Sequence, residues 1–340
     1  MGYNSGARGG TGKSCLMRYA GCAKSRRSAG PLRLVFFHYQ VMSKILITGV
    51  RGFTGAHLVH ELRGEGHEVC GLSHTPAPES EIPVLACDLL DRRGLVDALS
   101  QQRPDAVVHL AAIAFVGHGD VREMYDTNVV GTRNLLDAIV AAGCQPRSVL
   151  LASSANVYGN SDREVIDEAV PASPANDYAV SKLAAEHVAR LWMDRLPITI
   201  VRPFNYTGVG QASNFLLPKI VGHFRDRRSV IELGNLDVIR DFSDVRDVVA
   251  AYGKLLSGKH AGRTFNVCSG RGYALRDVIG TMESLTGHHP EIRVNPAFVR
   301  ASEVRKLVGN GEALRSAIGD AARIPLSDTL RWMLDGAASI

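Results

Sequence analysis

No stretch of this 340-residue sequence is apolar for the ~18 to 20 residues that a membrane-crossing helix needs, and "LRLVFF" at 32–37 falls far short. No membrane span is expected. The six cysteines, at 15, 22, 70, 87, 144 and 268, contain no C-x-x-C pair and no metal-type spacing. This argues against a disulfide framework and for a reducing, cytoplasmic setting. Residues 1–41 carry Arg8, Lys13, Arg18, Lys24, Arg26, Arg27 and Arg33 but no Asp or Glu. The formal charge of +5 therefore resides in that segment, because from residue 42 onward 32 basic residues stand against 34 acidic ones. A slightly acidic body removes the charge argument for a nucleic-acid partner. No internal repeat is present.

Arg-rich, Ser-rich and acid-free, residues 1–41 read as a processed or non-native extension, with Met42-Ser43 as the natural start before "KILIT". Within it, "ARGGTGKS" approaches the spacing of a phosphate loop. Such a loop needs a buried strand before it and a helix after it, to aim backbone N–H groups at the phosphates. Only six residues precede Ala7, and "CLMRYAGCAKSRRSAG" keeps no apolar period. No nucleotide site is expected there.

Lys44–Thr48 is a short apolar strand that runs into Gly49-Val50-Arg51-Gly52-Phe53-Thr54-Gly55 and then into "AHLVHELRGEG", with helical apolar spacing. The glycines have distinct physical uses. Gly49 turns tightly, Gly52 lets backbone approach a pyrophosphate, and Gly55 lets the helix pack on the strand. Apolar strands then alternate with helical patterns: "EVCGL", "PVLAC", a helix after Asp91, "DAVVHLAA", a helix through "NVVGTRNLLDAIVAAG", "SVLLASS", a helix through "YAVSKLAAEHVARLWM", and "ITIVRP". The fold class implied is α/β, a Rossmann-type doubly wound parallel sheet with a smaller C-terminal substrate-binding lobe. "RTFNVCSG" reads as one further sheet strand, so the lobes interleave. Residues 42–203 plus about 235–272 are assigned to the dinucleotide-binding domain, and about 204–234 plus 273–340 to the second lobe.

Tyr178 and Lys182 stand four apart on one face of a predicted helix. A lysine ammonium there can lower the phenol's pKa and make it a usable proton donor and acceptor. Upstream, "LLASSANVYG" ends a strand in Ser153-Ser154, where a hydroxyl can meet a substrate carbonyl.

On "TGVRGFTG", "CDLLD", "VVHLAA", "NVVGTRNLLDA", "SSANVYG", "YAVSK" and "VRPFN" the chain resembles the extended short-chain dehydrogenase/reductases of the NDP-sugar epimerase and dehydratase group. The resemblance implies a catalytic set of Ser154, Tyr178 and Lys182, with Asn128 supporting the lysine through water. It also implies a cofactor site at Gly49, Arg51, Gly52, Phe53, Thr54 and Gly55, with Asp88 and Leu89 at the adenine, Leu110, Ala111 and Ala112 along the cofactor, and Tyr178 and Lys182 at its reactive end. Two residues beyond the catalytic serine, the 4,6-dehydratases of the group place a Glu and its epimerase-reductases a Cys. Here that residue is Asn156, which is no base near neutral pH, so dehydration and C3/C5 epimerisation are disfavoured.

Downstream, "GNLDVIRDFSDVRDVV", "NPAFVRASEVRKLVGN" and "RPFNYTGVGQ" resemble stretches of the group's GDP-sugar dehydratases and keto-sugar reductases. By that resemblance Arg240 and Arg300 clamp a diphosphate, Glu303 meets a ribose, Asn205 lies beside the sugar and Lys219 near the nucleotide. The second strand ends in Leu72-Ser73-His74 without the acid that binds an NAD ribose hydroxyl, and Arg51 is available for a 2′-phosphate. NADPH is therefore expected, with NADH possible. The histidines at 57, 60, 288 and 289 lack partners for a metal, and no metal site is expected.

The expectation is an enzyme that reduces the C4 ketone of GDP-4-keto-6-deoxy-D-mannose, or a close GDP-4-keto-sugar, to GDP-D-rhamnose. It takes a GDP-sugar as its substrate partner, forms a homodimer, and binds neither nucleic acid nor membrane. The alternatives are an NDP-hexose 4-epimerase, a GDP-mannose 4,6-dehydratase-like enzyme, and a non-catalytic dinucleotide-binding sensor or scaffold.

Overall fold

The computed structural model describes residues 42–114, 120–298 and 304–336. The extension at 1–41 with its loop-like "ARGGTGKS", and the expected substrate residues Arg300 and Glu303, lie outside the described residues. The chain runs β1 (Lys44–Thr48), α1 (Phe53–Gly64), β2 (Glu68–Ser73), β3 (Val84–Ala86), α2 (Arg92–Gln102) and β4 (Ala106–His109). Next come α3 (Val121–Tyr125), a π-helical stretch (Asp126–Gly131), α4 (Thr132–Ala141), β5 (Ser148–Ala152), a 3-10 turn (Ala155–Tyr158), α5 (Asp177–Arg190) and β6 (Ile198–Pro203). The remainder is β7 (Asn205–Thr207), α6 (Leu216–Arg225), β8 (Val230–Leu233), β9 (Ile239–Asp244), α7 (Val245–Leu255), β10 (Thr264–Val267), β11 (Gly272–Ala274), α8 (Leu275–Thr286), β12 (Glu291–Val294), a 3-10 turn (Pro296–Phe298), β13 (Lys306–Leu307), α9 (Glu312–Ile318) and α10 (Leu326–Leu334).

Seven parallel strands form the main sheet in the order β10-β6-β5-β4-β1-β2-β3. "RTFNVCSG" thus supplies the expected extra strand, β10, on the outside of β6. The apolar runs of these strands follow from burial on both faces. Ile45 and Ile47 enter a core with α1 and α7 residues such as Leu58, Leu62, Val248 and Tyr252, while Leu46 enters the opposite one with Leu95, Leu99, Leu135 and Ile139. Chain order reverses between β1 and β4, which makes the carboxyl ends of those two strands the switch point where ligands bind in such sheets.

A second sheet pairs β9 with β11, β13 and β7, and β8 pairs with β12. A separate apolar core from α6, β8, α8 and α10 lies behind it. Of the stretch 235–272, α7 and β10 pack with the main sheet, whereas β9 and β11 belong to the second sheet. At the outer edge of the main sheet, Asn266 of β10 donates its backbone N–H to Glu168 Oε1 at 2.7 Å and its side-chain amide to the Ile166 carbonyl at 3.0 Å.

The helix expected from Asn128 begins differently. It is preceded by α3 and opens on the π-helical stretch, so one wide turn stands where a regular helix was read. The extra residue in that turn brings Asn128 inward, nearly fully buried.

Candidate active site

Gly49 leaves β1 with φ +70°, and a Cβ there would lie 2.7 Å from the Ala111 backbone nitrogen. The two loops of the switch point therefore touch through a residue that has no side chain. Gly55 is equally constrained: its Cβ would sit 2.4 Å from the Gly49 carbonyl oxygen, so α1 can approach β1 only through glycine. Between them, Gly52 donates its N–H to the Gly49 carbonyl at 3.0 Å and precedes the first turn of α1.

That turn has no side-chain cap and no acid, as is also true of α6, whereas α2, α3, α5 and α7 are capped by Asp91, Asp120, Asn176 and Asp244. A helix start left in this condition suits an anionic ligand. Phe53 stacks on Tyr206 with ring centroids 6.0 Å apart, and Thr54 Oγ1 hydrogen-bonds the Tyr206 hydroxyl at 2.7 Å. Both side chains are committed to the protein, so what these residues offer a ligand is backbone. Arg51 is exposed and donates to Thr75 Oγ1 just past β2, where the Thr75 N–H reaches Ser73 Oγ at 3.3 Å.

Asp88 accepts the Leu90 N–H at 2.9 Å, which fixes the turn after β3, and Leu89 is buried against Gly131. Leu110, Ala111 and Ala112 follow β4; the first two donate N–H groups to the Thr48 carbonyl and to Thr48 Oγ1, each at 3.2 Å.

Ser154 ends β5 in extended backbone and opens the 3-10 turn, and its Oγ accepts from the Asn156 N–H and from Asn156 Nδ2, both at 3.2 Å. Asn176 caps α5 by accepting the Ala179 N–H at 2.9 Å, which sets Tyr178 in the first turn and Lys182 one turn later. Ser154, Tyr178 and Lys182 are all buried, and the Ser154 hydroxyl hydrogen-bonds the Tyr178 phenol.

The expected lowering of the phenol by the lysine is not what these surroundings do. Burial pushes Tyr178 up to about 12, with the Ser154 hydrogen bond pulling back. Burial likewise pushes Lys182 down to about 8, with the Glu186 carboxylate opposing it. Desolvation outweighs the charge pair because both groups are enclosed.

Asn128 meets α5 through the neighbour of the lysine: its Nδ2 donates to Ser181 Oγ at 2.9 Å and to the Ile113 carbonyl at 3.1 Å, while Oδ1 accepts the Ile113 N–H at 2.8 Å. Its carbonyl accepts from Thr132 Oγ1 at 2.7 Å. Thr132 must then accept from His109 Nε2, 2.9 Å away, leaving His109 Nδ1 to accept from Thr48 Oγ1 at 2.6 Å. His109 is thereby a neutral strut between the glycine-loop strand and the π-helical turn. Burial and the nearby Lys182 charge hold it down at about 3.

Of the residues expected on the substrate side, Asn205 and Arg240 lie on the second sheet and Lys219 on α6. Asn205 opens β7 and donates to the Asp241 carbonyl at 3.4 Å. Lys219 on α6 donates to the Glu232 carbonyl at 2.9 Å and lies over the Phe298 ring at 4.2 Å. Arg240 on β9 donates to the carbonyls of Ile239 and Arg305, at 3.0 and 3.3 Å. Its neighbour Asp241 is fully buried, and its carboxylate accepts from Ser269 N–H, Ser269 Oγ and Gly270 N–H at 2.7–2.8 Å and from Gly309 N–H at 3.3 Å.

The sequence pattern of the NAD dependent epimerase/dehydratase family matches residues 45–268. The chain belongs to that family. It is 34% identical over 82% of its length to the GDP-6-deoxy-D-talose 4-dehydrogenase of Aggregatibacter actinomycetemcomitans, covering 92% of that protein. It is also 34% identical over 86% of its length to the GDP-6-deoxy-D-mannose reductase of Pseudomonas aeruginosa, covering 96% of it. Among solved structures, RMD from Pseudomonas aeruginosa complexed with NADPH is 33% identical and superposes with a TM-score of 0.76, covering 87% of this chain and 99% of that one. The fold is therefore that of the extended short-chain dehydrogenase/reductases, and the protein is an NAD(P)-dependent nucleotide-sugar enzyme of that class.

A nicotinamide dinucleotide is the cofactor of this family, and the site fits one. The uncapped start of α1 suits its pyrophosphate, and the glycines leave no Cβ between the β1 and β4 loops. Sequence reading missed His109 and Thr132 as struts, and it missed Glu186, which receives Ser153 and Arg202 behind the lysine. The K-x-x-x-E spacing of Lys182 and Glu186 was the available signal, since helical periodicity puts both on one face. Among the described residues no helix is long and apolar enough to cross a membrane.

Proposed function

We propose that the protein reduces the C4 ketone of GDP-4-keto-6-deoxy-D-mannose to GDP-D-rhamnose, with residues 42–203 and the α7–β10 region holding the cofactor and the second sheet holding the nucleotide sugar. The observation that carries this reading is the pairing of Ser154 with Asn156 beside a neutral phenol. The position that carries an acid in dehydratases holds an amide turned onto Ser154, and Tyr178 keeps its proton at neutral pH, the form needed to donate.

When bound, the reduced nicotinamide supplies the hydride. Ser154 donates a hydrogen bond to the ketone oxygen and holds it against Tyr178, whose phenol gives its proton to that oxygen as charge develops there. Lys182, one turn away, stabilises the phenolate left behind and, near pH 8, is poised to return a proton. Gly49, Gly52 and Gly55 and the backbone of Phe53 and Thr54 hold the pyrophosphate, Asp88 and Leu89 the adenine, and Leu110 to Ala112 the span between. Arg51, with Ser73 and Thr75 at the end of β2, presents a cation and hydroxyls to a 2′-phosphate, which favours NADPH. The resemblance assigns Arg240 and Arg300 to the diphosphate, Glu303 to the nucleotide ribose, Lys219 to the nucleotide and Asn205 to the sugar.

Purified protein given NADPH and GDP-4-keto-6-deoxy-D-mannose should lose absorbance at the reduced-nicotinamide band, and Tyr178→Phe should lower kcat about 1000-fold. Proton coupling at C4 of the product separates the manno from the talo configuration. Wild-type protein that consumes neither NADPH nor NADH with this substrate sinks the reading. A 4-epimerase would instead interconvert saturated GDP-hexoses with no added cofactor.

A further inference from the structure

Glu186 lies one turn of α5 beyond Lys182 and is fully buried. Its carboxylate accepts four hydrogen bonds from three elements. Ser153 Oγ reaches it at 2.6 Å from the end of β5, Arg202 Nε and Nη2 at 2.8 and 2.7 Å from β6, and Arg190 Nη2 at 3.0 Å from its own helix. Ser153 is the residue before Ser154, and Arg202 directly precedes the Pro203–Asn205 turn. Arg202 spends its remaining nitrogen on the Tyr158 hydroxyl at 3.0 Å, which in turn donates to Asn266 Oδ1 on β10 at 2.7 Å. One carboxylate thus joins the strand end that carries Ser154 to the helix that carries Tyr178 and Lys182 and to the strand that leads to Asn205.

We infer that Glu186 is a positioning residue for the reaction: it fixes Ser154 against the Tyr178–Lys182 face of α5 and serves as the countercharge for Lys182. The kinetic part of this inference rests on the proposed reductase reading; the part that concerns Lys182 does not. Stability alone gives little reason for such a group, because a buried ion pair costs desolvation that an apolar pair of equal volume would not. Its geometry gives a better one, since a misplacement of about 1 Å between reacting groups can cost on the order of 100-fold in rate.

The charges around Lys182 support the same assignment. From β4, His109 is neutral; from the π-helical turn, Asn128 is an amide; on α5 itself, Tyr178 is a neutral phenol. Glu186 is the carboxylate that opposes the burial of Lys182, and Arg202 directs its guanidinium at Glu186 and Tyr158. Hydrogen bonds from Arg202 and Ser153 offset burial at Glu186 and keep it ionised.

Cofactor-free protein carrying 13C-labelled lysine tests this, with the Lys182 ε-carbon assigned by Lys182→Arg. The wild-type resonance should titrate near pH 8, and in Glu186→Gln the midpoint should fall by about one pH unit or more. Glu186→Asp keeps the charge but cannot span Ser153 and Arg202 together. It should hold the midpoint near wild type while kcat for NADPH oxidation drops about 10- to 100-fold and KM stays within about threefold. Should Glu186→Gln fail to fold, Glu186→Asp, which keeps the buried charge, decides the inference through kcat. An unmoved Lys182 midpoint in folded Glu186→Gln, or a Glu186→Asp kcat within about twofold of wild type, overturns the inference. Failure of the reductase reading would look different: wild type would not oxidise NADPH, and the lysine titration would stand.

Discussion

His109 is hydrogen-bonded through both ring nitrogens and fully enclosed, so its proton count is fixed well below the range in which histidines ordinarily titrate. Its folded pKa of about 3 lies below the ordinary 6.5. Between those values the unfolded chain binds a proton that the folded one refuses, so His109 stabilises the fold above pH 6.5 and loses that contribution as pH falls. Denaturant titrations at pH 6.5 and 5 should show a loss of about 2 kcal/mol from this group, and His109→Gln, though less stable at neutral pH, should lose correspondingly less on acidification. Arg51 is the other residue whose role reduces to one interaction. If it meets a 2′-phosphate, Arg51→Ala should weaken NADPH binding about tenfold or more and leave NADH binding within about twofold; equal losses for both would return the residue to an ordinary loop charge.

The first βα unit shows what could be read from sequence at the scale of an element. Strand, glycine turn and helix came in a legible order, because Gly49 and Gly55 each answer a backbone contact that any side chain would block. Gly55→Ala would drive a Cβ to 2.4 Å from the Gly49 oxygen and 2.6 Å from that of Val50, both backbone atoms that cannot step aside. It should cost about 2 kcal/mol in thermal unfolding and weaken dinucleotide binding more than tenfold in fluorescence titration. Helix α5, with Tyr178 and Lys182, was legible for a related reason, since four-residue spacing is itself a statement about one face. The π-helical turn was not legible: Val129 and Val130 continue the apolar pattern, and nothing in that pattern marks an extra residue in the turn. The electrostatics of Tyr178 were misjudged because spacing reveals that a lysine is near but not how completely water is excluded. The struts at Thr48, His109 and Thr132 come from three separate elements, and only their meeting in space identifies them.

Over the whole molecule, the alternation of strands and helices announced the main sheet, while the interleaved second sheet depended on contacts between distant segments. Asp241 shows how these are held. From β9 it receives the turn after β10 and the segment after β13, with its carboxylate buried and fully hydrogen-bonded. Asp241→Ala leaves several N–H groups without acceptors and should lower stability by about 3 kcal/mol; because Arg240, the proposed diphosphate ligand, is adjacent, KM for the proposed GDP-sugar should rise more than kcat falls. Wild-type-like melting and KM would mean that the segments hold themselves. The seal that Glu168 and Ile166 place on the outside of β10 has a further consequence. A parallel sheet of seven strands ends in unpaired backbone that could recruit a strand from another chain. Here one such donor is already taken by a carboxylate from the same chain, and a negative charge lies beside it. The largest sheet of the protein thus carries on its β10 side a built-in brake on aggregation at the concentrations a metabolic enzyme reaches.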